Sequence, residues 1–585
     1  MVKEFTVLEK IPEPPKPNVP RAILTAFILS IVLTLGYVMF THKDPATLLS
    51  LSLYKDPISS INFPSYSYYI DESVSPLLSG EIRTALEQVI WEGNRRYIEV
   101  TADTKQDADI IFTSEFPEDS DLPVDDIETF DIVDTKYLPV ASFYAVEDSI
   151  SLSEVRNKEL WAYPNDADMV TTLLEANSIS DVVVNEITND MTLDDILLDS
   201  PSRIAFVTPD RLVPTVKLLS LDGGYFLEDH EGVLSLNAIF YAPEGSEIPT
   251  QLLRTVPKHL TDYPVSDAPI PEDYFSLRMT GVTAISRNLA IKIERAGDPT
   301  YPAQHLAEFL SSADMTHTSN EVSFVPGCVP EQSMRFCSAL DYIETLKVSG
   351  MDIIELTGNH NNDYGAVYNG STIEMYDELG WEHFGGGSNI EDAEKILYID
   401  QKDGVVAMVG YNYYDTMLGT GAIAGEDRAG ANSYSVEKLQ RDIIEAKKNA
   451  DFVIVDFQFQ ECYSYPESDV IYPICYKPLQ YPDQKAVFKQ AIDLGADMVV
   501  GTQAHQPQTY EIYKGKLIFY GLGNLYFDQI SWIGTRQGLI LTHYFLNGVH
   551  VQTKIDTTFL GLDMKPYLTY DEDREFFLQL LDDAR

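Results

Sequence analysis

The sequence predicts an α/β protein: strands and helices alternate over two long stretches, preceded by a single membrane-spanning helix. Three observations predict it. Residues 22–41 are apolar and carry no charge. Helix-period and strand-period segments alternate from about residue 66 onward. A Pro- and Asp-rich segment, DYPVSDAPIPEDY at 262–274, marks a boundary between the two stretches. The 585 residues suffice for more than one hydrophobic core.

The first element is the run AILTAFILSIVLTLGYVMFT at 22–41. Twenty apolar residues at ~1.5 Å rise match a bilayer core of ~30 Å. Lys3, Lys10, Lys16 and Arg21 precede it, and only Lys43 and Lys55 follow closely. The positive-inside rule then puts a Pro-rich tail, 1–21, in the cytoplasm and everything after 41 outside. The run is long for a cleaved signal peptide, and no A-x-A-like site follows it. The expected location is the cell membrane, with one pass and a large ectodomain on a stalk at 42–65.

The ectodomain is strongly acidic. With 91 acidic and 41 basic residues the formal net charge is −50. Nucleic acid and anionic lipid need basic surface, so nucleic-acid binding is excluded. The charge reads as a solvated surface, with cation attraction as the sharper alternative. The four cysteines fall in two local pairs, Cys328 with Cys337 and Cys462 with Cys475, and none has zinc-ligand spacing. Outside the cytoplasm each pair is expected to close a short disulfide loop; the alternative is four free thiols.

From 66 to 268 the segment SGEIRTALEQVIWEGNRR reads as a helix, and YIEVTA, DADIIFTS, PVASFYAVE and SRIAFVTP read as strands. Residues 139–223 faintly resemble periplasmic solute-binding domains, without a diagnostic ligand motif; a structural or docking module is the competing reading. From 275 to 556 the strands become continuous apolar runs: FSLRMTGVTAI, DIIELTG, VVAMVGYN, DFVIVDFQF, DMVVGTQ and KLIFYGLGN. Helical segments at 338–350, 435–450 and 483–496 lie between them. An acidic tail, 557–585, ends in a helix.

Functional residue types collect where these strands end, the usual place for sites in α/β sheets. TGVTAISR carries Arg287. TSNEVSF carries Asn320 and Glu321, the latter a hard oxygen ligand. LTGNHNNDYG carries Asn359, His360 and Asp363, in which Asp363 can fix the tautomer of His360. GTQAHQPQ carries Gln503 and His505, and GLGNLYFDQ carries Asn524, Phe527 and Asp528. IVDFQFQECY carries Gln458.

In order and spacing, these motifs resemble the CapA family of poly-γ-glutamate and capsule synthesis, a branch of the metallophosphoesterase-like fold. The resemblance covers about half the chain, and it marks a divergent member. It implies a layered sandwich over 275–556, with Glu321, Asn359, His360 and His505 around one divalent cation (Mn, Zn, Mg or Ca) or around none. His360, Asp363 and His505 would be catalytic. Arg287, Asn320, Gln458, Gln503, Asn524 and Asp528 would bind. Three family ligands are replaced: Val282 stands for an Asp, and Gln458 and Gln503 stand for His. The implied partners are the membrane, a cell-surface polymer and polymer synthase or export components. Three functions stay open: a metal-dependent hydrolase or transferase acting on the polymer, a non-catalytic polymer-binding or export factor, and a phosphoesterase implied by fold alone.

Overall fold

The strand Phe275–Thr283 is buried at every position from Leu277 onward, with no inside–outside alternation. Such a strand needs cover on both faces, and the structure, a computed structural model, supplies it. Residues 65–93, 96–100, 107–114, 129–188, 191–242, 260, 269–402, 404–413, 421–459, 484–502 and 504–585 are described. The expected membrane span 22–41, nearly all of the stalk, Gln503, Cys462 and Cys475 lie outside them. Among the described residues no helix is long and apolar enough to cross a membrane.

Two compact units form, 1–130 with 239–261, and 131–238 with 262–585. They cut across the expected 66–268 span. In the first unit β1 (Ser65–Ile70) pairs in parallel with both β2 (Arg96–Glu99) and β3 (Ile110–Thr113). Leu78, Ile82, Ala85 and Leu86 are the buried face of the helix Pro76–Gly93.

The second unit has two parts. In the part before the linker, β4 (Thr129–Ser142) pairs with β8 (Arg203–Val207) and β9 (Val216–Leu218). β6 (Glu159–Ala162) lies parallel to β8 and to β7 (Val184–Glu186). The short β5 (Ser149–Ile150) and β10 (Ser220–Leu221) form their own pair, and β11 (Leu234–Tyr241), whose last three residues fall in the first unit, alternates buried and half-buried residues. The expected strand 139–147 corresponds to the end of β4. Backbone pairing stops at Ser142 because Ala145 N–H turns back to the Ser142 carbonyl.

The part after the linker is a sandwich. One sheet has the order β15-β14-β13-β12-β25-β26-β27, with β24 beside β12. Its strands are β12 (Phe275–Thr283), β13 (Met315–Asn320), β14 (Ile353–Glu355), β15 (Glu382–Phe384), β24 (Asn524–Tyr526), β25 (Gln537–Leu546), β26 (Val549–Leu560) and β27 (Pro566–Leu568). The other has the order β17-β18-β20-β21-β23-β22. It comprises β17 (Leu397–Gln401), β18 (Gly404–Asn412), β20 (Phe452–Gln458), β21 (Met498–Thr502), β22 (Gln508–Tyr513) and β23 (Lys516–Gly521). Leu277, Met279, Ile353, Met408, Ile454, Val500 and Phe519 meet between the two sheets. The helices Arg287–Ala296, Ile343–Val348 and Ala366–Leu379 pack on the outside of the first sheet, and Val436–Asn449 and Gln484–Leu494 on the outside of the second. Ser435 caps its helix through the Lys438 amide, 3.1 Å away. The C-terminal helix Asp571–Asp583 buries Phe577, Leu578 and Leu581 in the inter-sheet core.

Candidate functional site

β12, β13 and β14 in the first sheet and β18, β20 and β21 in the second run parallel, so their C-terminal ends gather the loops that follow them. Side chains two residues apart share a face. On β13 and the residue after it, the inward series is His317, Ser319 and Glu321. On β14 and its loop it is Ile353, Glu355 and Thr357. On β20 it is Ile454, Asp456 and Gln458. Each series starts in the apolar core and turns polar toward the strand end.

The outermost layer contains most of the expected site. Glu321 is buried, and its Oε1 has no hydrogen-bond partner. Gly358 lets the next strand end come close: a Cβ there would lie 2.5 Å from Glu321 Cα. The neighbouring Asn359 accepts a 2.9 Å hydrogen bond at Oδ1 from Gln458 Nε2. Asn412 Nδ2 donates to the Thr357 carbonyl at 2.7 Å and ties the two sheets together at this end.

His360 Nδ1 lies 2.7 Å from Asp363 Oδ2, which also accepts from the Phe336 amide at 2.8 Å. With Nδ1–H donating to the carboxylate, the lone pair of a neutral ring sits on Nε2. His505 Nδ1 lies 2.9 Å from Asn524 Oδ1, which sets the same tautomer. Both rings rest on aromatic faces, His360 at 4.1 Å from Phe336 and His505 at 5.0 Å from Phe527. Between those two phenyl rings stands the Arg287 guanidinium, 4.7 Å from each. Arg287 is ion-paired with Asp528, and Asp528 Oδ2 accepts from the Asn288 amide at 3.0 Å. One arginine thus braces the platforms under both histidines.

Several of the expected residues have partners within the fold. Arg287 and Asp528 neutralise each other and serve as a brace. Asn524 donates to the Thr535 carbonyl at 3.0 Å and orients His505, so it positions a ring. Asn320 points away from the site, donating to the Val322 carbonyl at 2.8 Å and to Tyr376 Oη at 2.7 Å. Its place in the β13 alternation puts it on the helix-covered face. Val282 is buried at the end of β12, where its amide donates to the Gly523 carbonyl at 2.9 Å, and it offers no ligand atom. Gly281 is required there, since a Cβ would meet the Gly523 carbonyl oxygen at 2.1 Å, and Gly523 itself has φ +75°. Of the two expected disulfides, Cys328–Cys337 is formed, and it closes the loop that delivers Phe336.

Sequence reasoning missed Phe336, and it missed a second cluster one layer deeper. His317, Glu355 and Asp456 are all fully buried, and their ligand atoms lie within 4.8 Å of one another. Burial pulls the His317 imidazole down to about 3 and pushes the Glu355 carboxyl up to about 7. Burial, followed by the Glu355 charge, raises Asp456 well above the ordinary carboxylate range. The available signal was the acidic residue at an inward position of two otherwise largely apolar strands, Glu355 in IIE and Asp456 in FVIVDFQ; β13, reading MTHTSN, offered none.

A two-sheet sandwich with helices outside, bearing an Asn–His–Asp loop at its strand ends, defines a class of α/β proteins with a polar strand-end site. Residues 276–529 match the family model described as bacterial capsule synthesis protein PGA_cap. The capsule biosynthesis protein CapA of Bacillus anthracis is 26% identical over 319 residues, covering 53% of this chain and 73% of that relative. The PGA biosynthesis protein CapA of Bacillus subtilis is 28% identical over 203 residues, 34% of this chain and about half (49%) of the relative. Residues 276–529 thus carry a divergent domain of the capsule-synthesis type, similar to the CapA proteins at 26–28% identity. Among solved structures, an ABC-type phosphate transport receptor from Vibrio cholerae is 9% identical, with a TM-score of 0.18 over 34% of this chain and all of that one. A score of that size gives the expected solute-binding likeness no support.

Proposed function

We propose that this protein serves capsule or exopolymer biosynthesis of the poly-γ-glutamate type, as a membrane-anchored protein working outside the cytoplasm, and that its strand-end site acts on the polymer. The observation that carries the reading is His360, held at 2.7 Å on Asp363 within a region that matches the capsule-synthesis family. The anchor is the apolar run 22–41 with its basic flank. The part before the linker would dock polymer synthase or export components, or a small solute.

The strand-end residues fit a divalent cation in part. Glu321 offers a buried carboxylate oxygen without a partner, Asn359 an amide oxygen and His505 an Nε2 lone pair. Val282 removes the carboxylate that the family has at the end of β12. A cation held by those three residues would polarise the scissile carbonyl of an amide or ester. His360 Nε2 takes a proton from the attacking water and passes it to the leaving amine or alcohol, while Asp363 holds the imidazole in place. The missing carboxylate favours a second reading, in which the site grips polymer without cleaving it.

Rates of wild type and His360→Ala on a panel of poly-γ-glutamate and related envelope polymers separate the two. A loss of at least a hundredfold in His360→Ala supports catalysis. Equal rates on every polymer overturn it. Unchanged capsule in a deletion strain that lacks this protein overturns the biosynthetic reading altogether.

A further inference from the structure

We propose that His317, Glu355 and Asp456 form a second, fully enclosed metal site inside the sandwich, for a divalent first-row ion such as zinc(II) or manganese(II). The inference stands apart from the polymer reading. It concerns different residues, deeper in the sandwich along β13, β14 and β20.

Hydrogen bonding leads to it first. Both ring nitrogens of His317, Oε2 of Glu355 and both carboxylate oxygens of Asp456 are buried without a hydrogen-bond partner. Buried polar atoms in native proteins are nearly always paired, and here one ligand atom from each of the three residues lies within 4.8 Å of the other two. They do not pair with each other, because His317 Nε2 stands 3.9 Å from Glu355 Oε2, beyond hydrogen-bond reach. That separation suits donors arranged around an ion. Bonds of ~2.0–2.2 Å place neighbouring tetrahedral donors about 3–3.5 Å apart, and a small inward rotation of the side chains closes the set.

The surroundings hold the donors in place. Glu355 Oε1 accepts from the Thr357 hydroxyl and from the Thr502 hydroxyl, the latter at 3.1 Å, which turns Oε2 toward the cluster. His317 lies against the Phe384 ring at 5.8 Å, so its plane is packed on one side. The three residues come from β13, β14 and β20, so the site joins the two sheets. Charge balance points the same way. Two ionised carboxylates and a neutral imidazole sum to −2, which a dication cancels. One nitrogen and two carboxylate donors suit zinc or manganese. Calcium wants six to eight oxygens, and magnesium prefers an all-oxygen set with several waters, neither of which this buried set of one nitrogen and two carboxylates supplies. Because the site is closed, the ion enters as the chain folds.

The test is metal content of the full-length chain, purified in detergent without chelator, by inductively coupled plasma mass spectrometry. About one equivalent of zinc or manganese is expected. It should survive dialysis against EDTA, persist in His360→Ala and His505→Ala, and fall at least tenfold in Asp456→Asn and His317→Gln. Since a core variant can fail to fold, anomalous diffraction at the zinc and manganese edges on wild-type crystals gives an independent answer. A peak among His317, Glu355 and Asp456 supports the proposal. No metal after refolding with zinc(II) or manganese(II) overturns it. So does a single ion that is lost in His505→Ala and kept in Asp456→Asn, which would assign the metal to the strand-end site.

Discussion

Replacing Asp148 with Ala should destabilise the larger unit by about 2–4 kcal/mol. The carboxylate bridges two cations: Lys217 Nζ at 2.8 Å from Oδ1, and the Arg574 guanidinium on Oδ2. The Lys217 side chain is 7% exposed and that of Arg574 12%, whereas Asp148 retains 33%. Removing one partner of a buried pair costs about 3–5 kcal/mol, chiefly from the charge left behind; the solvent at Asp148 brings the figure down. Arg574 belongs to the C-terminal helix, which buries Phe577, Leu578 and Leu581 in the core, so the loss should appear first as release of that helix. Burial raises the Asp148 carboxyl, Lys217 and Arg574 lower it, and the cations win. The folded value therefore lies below the unfolded one, about 3.9. The unfolded chain binds the extra proton between the two values, so this stability is fully present above the unfolded pKa and is lost as the pH falls through the folded one. Urea unfolding of wild type, Asp148→Ala, Lys217→Met and the double variant closes a cycle. A change within about 0.5 kcal/mol for Asp148→Ala, the range of ordinary surface substitutions, or no coupling to Lys217, would refute the reasoning.

Three further outcomes are expected. Asp363→Asn keeps an oxygen acceptor for the Phe336 amide but removes the carboxylate charge that holds His360, and should lower activity or polymer binding by about 10–100-fold with little change in melting temperature; turnover and calorimetry together check it. Gly281→Ala pushes a methyl group into the Gly523 carbonyl at 2.1 Å and should cost about 1–3 kcal/mol, measured by denaturant midpoint, whereas Gly297→Ala meets open space, and its cost comes only from its φ of +64°. Cys337→Ser opens the nine-residue separation of the disulfide and should cost about 2–3 kcal/mol; because Phe336 supports His360, reduction of wild type should also lower site function before it unfolds the protein.

The inter-sheet strands were legible because burial on both faces turns them into continuous apolar runs, as in VIVDFQ and DMVVGT. Helix 436–449 was legible from Ser435 and its amphipathic spacing. The strand-end loops were legible because Asn359, His360 and Asp363 lie within five residues, and local geometry alone brings a side chain three residues on back to the ring. The brace was not legible. Arg287, Phe336 and Asp528 come from three distant segments, and an arginine in sequence looks like a ligand contact until its counter-ion is seen. The His317, Glu355 and Asp456 cluster was hidden for the same reason, since each strand contributes one residue and no short motif holds two of them. Asn320 misled because one residue of phase decides which face of β13 a side chain takes.

The central position of β12 has a consequence for how the chain acquires its structure. This strand is hydrogen-bonded on one side to β13, which follows it closely, and on the other to β25, with Phe275 opposite Phe545 and Thr280 opposite Ile540. Half of its ladder therefore waits for a segment more than 250 residues later in the chain. Loop closure of that size comes before the contacts that compensate it, so folding of the sandwich should be slow for its size, with its rate set by arrival of the β25–β26 hairpin. Until then β12 presents an open, apolar edge, the kind of surface that recruits the wrong strand. A protein built this way depends on keeping its early strands apart during synthesis and transfer, and its strongly acidic sequence, with mutual repulsion between chains, serves that end.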